Sequence, residues 1–298
     1  MILDRVGALF ALLMPDFHLA SAEPLSGGLS NRCWKVELRH LDTGQCHTLV
    51  WRPHSAASRA FAVSRQHEYD VLDAIQSSPQ HFLAPAPFAK LTEGLLVEWL
   101  DGKTATSDLP LSSLMALQAA IHQLPLPSPR LDPRQRGAHY WQFIGAEKQD
   151  PQLQRIHAYF QSQPVQEWFA ETCCHHDLGC YNIIIAPDGQ HRVIDWEYAA
   201  AGDPSLDLAL TIAANQLVPA EAIDEYCRQT GIVDADILSR WHGAVRYWQP
   251  WCDYLALLWF YVGANQWQLA CQQENDGEYM DQALSLQEKL WNSLQFSD

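Results

Sequence analysis

Apolar and polar positions alternate through much of residues 1–100, the period-two pattern of strands with one buried face. Residues 33–38 read CWKVEL, Asp42-Thr43-Gly44-Gln45 supplies a turn and residues 46–52 (CHTLVWR) return, so a hairpin is predicted. Residues 88–92 and 95–100 form a second hairpin around Glu93-Gly94. Between the two, residues 58–76 have helical period, with Phe61, Leu72 and Ile75 on one face and Arg65 and Glu68 on that same face. A carboxylate on an apolar stripe calls for a cation. Ahead of the first hairpin, Leu3, Val6, Leu9, Phe10 and Leu13 fall on one stripe that Pro15 ends, which predicts an amphipathic first helix. The run Val6–Met14 and the Ala20-Ser21-Ala22 triplet resemble a secretory signal, but Asp4 cancels Arg5 where that signal needs positive charge.

Asp101-Gly102 marks a boundary, and residues 101–298 read as mainly helical. Helices are predicted at 111–124, where prolines 125, 127 and 129 stop the chain, within 138–171, and at 204–216, 219–229, 234–272 and 278–294, with Pro250 kinking the longest. An island of strand at 182–196 interrupts them. The fold class expected is therefore α+β in two lobes, a small antiparallel sheet lobe with one helix (1–100) and a larger helical lobe (101–298).

Composition narrows the partners. The 298 residues carry 35 acidic and 19 basic side chains, a formal charge of −16, so nucleic-acid binding would work against the protein's own field. Apolar residues at 48% supply a core, yet no stretch approaches the roughly 20 residues needed to cross a bilayer. The eight cysteines contain no CxxC pair in a chain too long to need staples, which reads as reduced thiols in a cytoplasmic protein. Cys173-Cys174-His175-His176 is no zinc site, because neighbours in an extended segment point to opposite sides and no second ligand pair is suitably spaced.

Candidate chemistry concentrates in residues 174–208. If Asp188-Gly189 is a two-residue turn, Pro187 faces Gln190 and Asn182 faces Asp195, so two oxygen-bearing side chains converge on one side of a hairpin. Such a pair suits Mg²⁺, which takes a few hard oxygens and leaves its other positions to water and phosphates. If Pro187-Asp188-Gly189 form a three-residue loop instead, the pairing slips by one. Asp177 stands in a polar loop just before, placed to accept a hydroxyl proton. Asp203 precedes Pro204 and would cap the next helix.

The spacing H-x-D-x-x-x-x-N, then I-D-W-E, then G-D-P-x-x-D-L resembles the aminoglycoside phosphotransferase and choline kinase superfamily, small-molecule relatives of the protein kinases. The resemblance implies a protein-kinase-like two-lobe fold and an ATP- and Mg²⁺-dependent kinase. It makes Asp177 the catalytic base, His175 a structural member of the catalytic loop, Asn182 and Asp195 the metal ligands, and Asp207 a brace for that loop. It also implies an ATP site in the first lobe. Ser26, Gly27, Gly28, Ser30 and Asn31 fall where the fold puts its phosphate loop, Arg52 where a cation touches the donor phosphates with Glu68 as its helix partner, and Glu98, Trp99 and Leu100 at the interlobe hinge that binds adenine.

The acceptor is expected to be a small cationic alcohol. Trp248, Trp251 and Tyr254 recur every third residue around Pro250, with Asp253 among them, and aromatic faces with carboxylates suit a cation. Trp196 and Glu197 of the IDWEY block are expected to join that wall. The LSGG segment, the IDWEY block and this tryptophan helix look most like the bacterial thiamine kinases, with choline or ethanolamine kinases next and aminoglycoside phosphotransferases third. A reading of another class is a nucleotide-binding pseudokinase that moves no phosphate, against which Asp177, Asn182 and Asp195 are all present.

Overall fold

The computed structural model describes residues 2–25, 33–269 and 276–294. Its first part is α1 (Ile2–Leu13), β1 (Phe17–Pro24), β2 (Trp34–His40), β3 (Cys46–Pro53), α2 (Ala56–Ala60), α3 (Arg65–Gln76), β4 (Pro87–Leu91) and β5 (Gly94–Glu98). The strands make one antiparallel sheet in the order β1-β2-β3-β5-β4. Strand alternation gives this sheet two apolar faces. Val36, Leu38, Leu49, Trp51 and Leu96 pack under Phe10 of the amphipathic first helix and Met14 just after it, the Phe10 ring meeting Trp51 edge-on at 5.3 Å. Leu95 and Val97 point the other way, to Val71, Leu72 and Ile75 of α3. Because Trp51 faces α1, its neighbour Arg52 is turned to the α3 side.

The single helix predicted over 58–76 is two. Ala62 takes a left-handed turn (φ 57°) and Ser64 restarts the helix, its Oγ accepting from the His67 N–H at 3.3 Å. The helical period runs through this break, so apolar spacing alone does not reveal it.

The second part comprises β6 (Lys103–Thr104), α4 (Leu111–Ile121), α5 (Pro133–Trp141), α6 (Pro151–Ser162), β7 (Thr172–Cys174), β8 (Ile183–Ile185), β9 (His191–Val193), β10 (Ala200–Gly202), α7 (Pro204–Ala214), α8 (Pro219–Gln229), α9 (Ala235–Leu269) and α10 (Asp276–Ser293). Three of these helices open on Asp-Pro. Asp132, Asp150 and Asp203 cap α5, α6 and α7, with the proline at the first turn where its missing N–H costs nothing. Asp203 also accepts from the Trp168 and Phe169 N–H groups at 2.7 and 3.1 Å, so it fastens the segment before β7 to α7. Among the described residues no helix is long and apolar enough to cross a membrane, and the seven described cysteines are free thiols.

The hairpin expected to carry the metal pair takes the slipped register. Ile183 faces Val193 and Ile185 faces His191, Ala186 N–H bonds the Gln190 carbonyl at 2.9 Å, and Pro187-Asp188-Gly189 is a three-residue loop with Gly189 at φ 81°. Asn182 therefore stands opposite Ile194, whose N–H bonds its carbonyl at 2.9 Å, and not opposite Asp195. The two-residue turn would have put left-handed backbone on Asp188 as well as Gly189; the longer loop asks it of glycine alone.

Candidate active site

Asp207, fully buried at the start of α7, organises the loop that carries Asp177. Its carboxylate accepts from the backbone N–H groups of His175 (3.1 Å) and His176 (2.6 Å), from Gln118 Nε2 (2.6 Å) and from His122 Nε2 (3.0 Å). Burial opposes its charge, but the His122 bond and the neighbouring imidazoles hold its carboxyl well below the usual carboxylate range. Asn215 clamps the other end of the loop, donating to the Leu178 carbonyl and accepting from the Cys180 N–H, both at 2.8 Å.

His175 is fully buried. Its Nε2–H donates to the Ile194 carbonyl at 3.1 Å while Nδ1 accepts from the Asp177 N–H at 3.3 Å, which fixes the neutral tautomer, and burial lowers its pKa in the same sense. One imidazole thus ties the loop that carries Asp177 to the residue just before Asp195. Trp196 meets this ring edge-on at 4.9 Å and gives its indole N–H to the Val193 carbonyl at 2.8 Å. Only 1% exposed, Trp196 buttresses His175 and does not face an acceptor.

Asp177 is half-buried. Its Oδ1 accepts from the Tyr181 hydroxyl at 2.6 Å and its Oδ2 from Asn182 Nδ2 at 3.1 Å. Burial pushes its carboxyl up to about 7; the Tyr181 bond pulls against this, the charges of Asp195 and Glu197 add to it, and the Asn182 bond opposes them. A carboxylate so tuned takes a proton near neutral pH, as a general base must.

Asp195 adopts left-handed backbone (φ 64°, ψ 56°), uncommon for a residue with a side chain, and this twist at the end of the hairpin re-aims the residue that the slipped register would have turned away. Its Oδ1 lies 2.5 Å from Arg52 Nη2. The same Nη2 is 3.0 Å from Glu197, and Arg52 Nε is 2.7 Å from Glu68. Arg65, 1% exposed, completes the cluster with Nη1 at 2.6 Å from Glu68 and 3.1 Å from Glu197. Burial works against the charge on Arg52, yet Glu68, then Asp195, raise its pKa well above the usual value. Burial also pushes Asp195 up, but Arg52 outweighs it and the carboxyl lies below its usual range. Glu197, bound into this cluster and 6% exposed, is not part of an acceptor wall.

Two guanidiniums against three carboxylates leave the cluster formally one negative charge in excess, and burial with the neighbouring Asp195 pushes the Glu197 carboxyl up. Asn182 turns its amide nitrogen to Asp177, to the backbone carbonyl at 2.9 Å as well as to Oδ2, so its oxygen is the atom left over. That oxygen and the Asp195 carboxylate are hard donors beside a net negative charge, a set that fits Mg²⁺.

The expected aromatic wall of α9 is core. Trp248 gives its N–H to Ser205 Oγ at 3.0 Å, Trp251 packs edge-on to Phe160 at 4.9 Å, and Tyr254 stacks on Phe160 at 4.2 Å with its hydroxyl 2.8 Å from His157. All three are at most 3% exposed, and Asp253 pairs with Lys289 at 2.8 Å. The half-buried aromatic surface near the Asp177 loop is instead Tyr198 and Trp259, joined by an indole-to-hydroxyl bond of 3.1 Å. The Tyr198 carbonyl receives the His176 ring at 3.1 Å, and the Arg136 guanidinium stands 5.3 Å from the Tyr198 ring centre.

Of the remaining residues expected to meet ATP, Ser26, Gly27, Gly28, Ser30 and Asn31 lie outside the described residues; Leu25 and Cys33, on either side of them, share a 2.9 Å backbone bond. Glu98, Trp99 and Leu100 carry the chain out of β5: the Trp99 N–H bonds the Thr48 carbonyl at 3.1 Å, Lys35 Nζ lies 4.3 Å from the Trp99 ring centre, and Leu100 is buried.

The sequence profile described as the phosphotransferase enzyme family matches residues 21–243. The chain belongs to that family. It is an enzyme of the small-molecule kinase class, with an alcohol as phosphoryl acceptor. Thiamine kinase of Escherichia coli (strain SMS-3-5) is 26% identical over 261 residues, 85% of each chain. Choline kinase of Streptococcus pneumoniae superposes with a TM-score of 0.71 at 17% identity, over 98% of this chain and 99% of that one. Aminoglycoside 2'-phosphotransferase-IIIa gives 0.58 at 14% identity, over 96% and 98%. The fold is therefore the two-lobe, protein-kinase-like one.

Proposed function

We propose that the protein transfers the γ-phosphoryl group of ATP, in the presence of Mg²⁺, to the hydroxyl of a small cationic alcohol, thiamine first among the candidates. One observation carries the reading: a half-buried carboxyl with a pKa near neutral, Asp177, stands beside a cluster with excess negative charge in which Arg52 covers Asp195. Asp177 accepts the acceptor's proton as its oxygen attacks the γ-phosphorus. Asp195 and the Asn182 oxygen would hold the cation, which when bound neutralises charge on the donor phosphates. Arg52, moving from Asp195 to the phosphates, remains held by Glu68 and Glu197. AMP and GDP complexes of related folds support a nucleotide donor.

Thiamine is favoured by the 26% identity to thiamine kinases over most of both chains. Arg136 adds an argument. It already covers one face of Tyr198, so a compact quaternary ammonium would compete with it there, whereas an acceptor with a flat heteroaromatic ring can use Trp259 or bond the guanidinium. Free thiols at every described cysteine support a reducing compartment such as the cytoplasm. The test is a side-by-side assay of thiamine, choline, ethanolamine and an aminoglycoside with Mg·ATP. Thiamine is expected to give the highest kcat/KM; tight Mg·ATP binding with transfer to none of them would make the protein a nucleotide-binding module instead.

A further inference from the structure

Tyr181 has no part in the roles above, yet its hydroxyl is on the base. The 2.6 Å bond to Asp177 Oδ1 is the contact an acceptor alcohol must make to surrender its proton. Asn182 occupies Oδ2, so Tyr181 covers the oxygen that Asn182 leaves open. The phenol is thus a chemical stand-in for the acceptor's hydroxyl, supplied by the same loop.

The loop is shaped to lay this ring down. A Cβ on Gly179 would overlap the Tyr181 ring, so glycine there is what gives it room. The ring is nevertheless 54% exposed, and core burial does not hold it. A side chain fixed by one hydrogen bond at a solvent-facing position can swing out on the timescale of rotamer exchange.

We propose that Tyr181 is a positioning residue that occupies the acceptor-hydroxyl position on Asp177 until the acceptor displaces it, denying the base to water. The proposal rests on Asp177 being the base. Wasteful hydrolysis of a bound donor needs a water whose proton goes to Asp177 while its oxygen bonds the γ-phosphorus and nucleoside diphosphate leaves. With the phenol on Oδ1 and the Asn182 amide on Oδ2, that water must compete for a base whose oxygens are both engaged. The acceptor, bound through further contacts, can displace the phenol where water cannot.

The test is Tyr181→Phe, which keeps the ring and its fit against Gly179 and removes the hydroxyl alone. Hydrolysis of Mg·ATP without any acceptor is expected to rise about ten-fold, the order expected for losing one hydrogen bond to a charged group. Acceptor KM should fall by a similar factor with kcat little changed. Calorimetric affinity for thiamine, in the presence of a non-hydrolysable ATP analogue, should tighten in parallel. Unchanged acceptor-free hydrolysis, a fall in kcat at constant KM, or phosphate found on Tyr181 of the wild type by mass spectrometry would each overturn the guarding role. Asp177→Asn separates the two levels. Retained transfer in that variant defeats the base reading, whereas abolished transfer beside a silent Tyr181→Phe defeats the Tyr181 proposal alone.

Discussion

Arg52 Nη2 lies 2.5 Å from Asp195 Oδ1, so a cation on the third strand of the small lobe is closed onto the proposed metal ligand of the large one. A cation that takes Asp195 Oδ1 competes with Arg52 for it, and a guanidinium displaced from Asp195, still held by Glu68 and Glu197, is placed to meet the donor phosphates. Arg52→Gln should therefore weaken nucleotide binding. It should also cost about 3–5 kcal/mol of stability, because Arg65 alone would face the buried Glu68 and Glu197. Denaturant titration and nucleotide calorimetry on the same variant check both halves.

Arg65 touches Glu68 and Glu197, the two glutamates that also hold Arg52. Arg65→Met preserves volume and removes the charge. It is expected to lower kcat about ten-fold or more by letting Glu68 and Arg52 shift, with Arg65→Lys recovering only part, since the ammonium keeps the charge but not the rigid, planar placement of the donors. Steady-state kinetics on the pair decides this, and equal, wild-type kcat in both would refute it.

The Asp177 carboxyl is raised to about 7, chiefly by burial. It must be ionised to accept a proton, so kcat/KM should fall as pH drops through its pKa. A cation at Asp195 offsets one of the charges that raise it, which places the acid limb between the ordinary carboxylate value, about 3.9, and about 7. The sign for stability is opposite: ionising this carboxyl disfavours the folded state, a cost that begins near the unfolded pKa and is complete above about 7. A pH–rate profile flat down to the ordinary carboxylate range would contradict the shift.

Asp253 pairs with Lys289 at a partly exposed site and Trp251 is core. Asp253→Asn should leave acceptor KM unchanged and move stability by no more than about 1 kcal/mol. Trp251→Ala should cost about 3–5 kcal/mol without a specific effect on KM in the folded fraction. Thermal melts beside acceptor titrations distinguish these outcomes from those of a substrate wall.

The spacing of Asp177, Asn182, Asp195 and Asp207 was enough to mark a candidate base and metal pair, and the family resemblance added the brace; the hairpin register that brings the pair together, and the place of Asp207 in the first turn of α7, were not legible in that spacing. Glu68 was legible for a related reason, a carboxylate out of place on an apolar stripe. Long-range partnerships were not. Arg65 lies on that same stripe, but its bond to Glu197, 132 residues away, depends on how the lobes meet. Asp195 reaches Arg52 through a left-handed turn that no periodicity encodes. The aromatic residues of α9 misled because helical spacing every third residue describes a core stripe as well as a wall, and Phe160, which fills the space in front of Trp251 and Tyr254, comes from a distant helix. Tyr181 and Asn215 carried no sequence signal, since their partners are set by the path of the loop.

The most direct test is single-turnover transfer from γ-labelled ATP to thiamine by wild type and by Asp177→Asn, with nucleotide affinity measured on both. Labelled thiamine phosphate from wild type, and transfer reduced by about 10²–10⁴-fold in the variant at unchanged nucleotide affinity, is the predicted result. Equal transfer by the two proteins, or none by the wild type to any small cationic alcohol, would contradict the account.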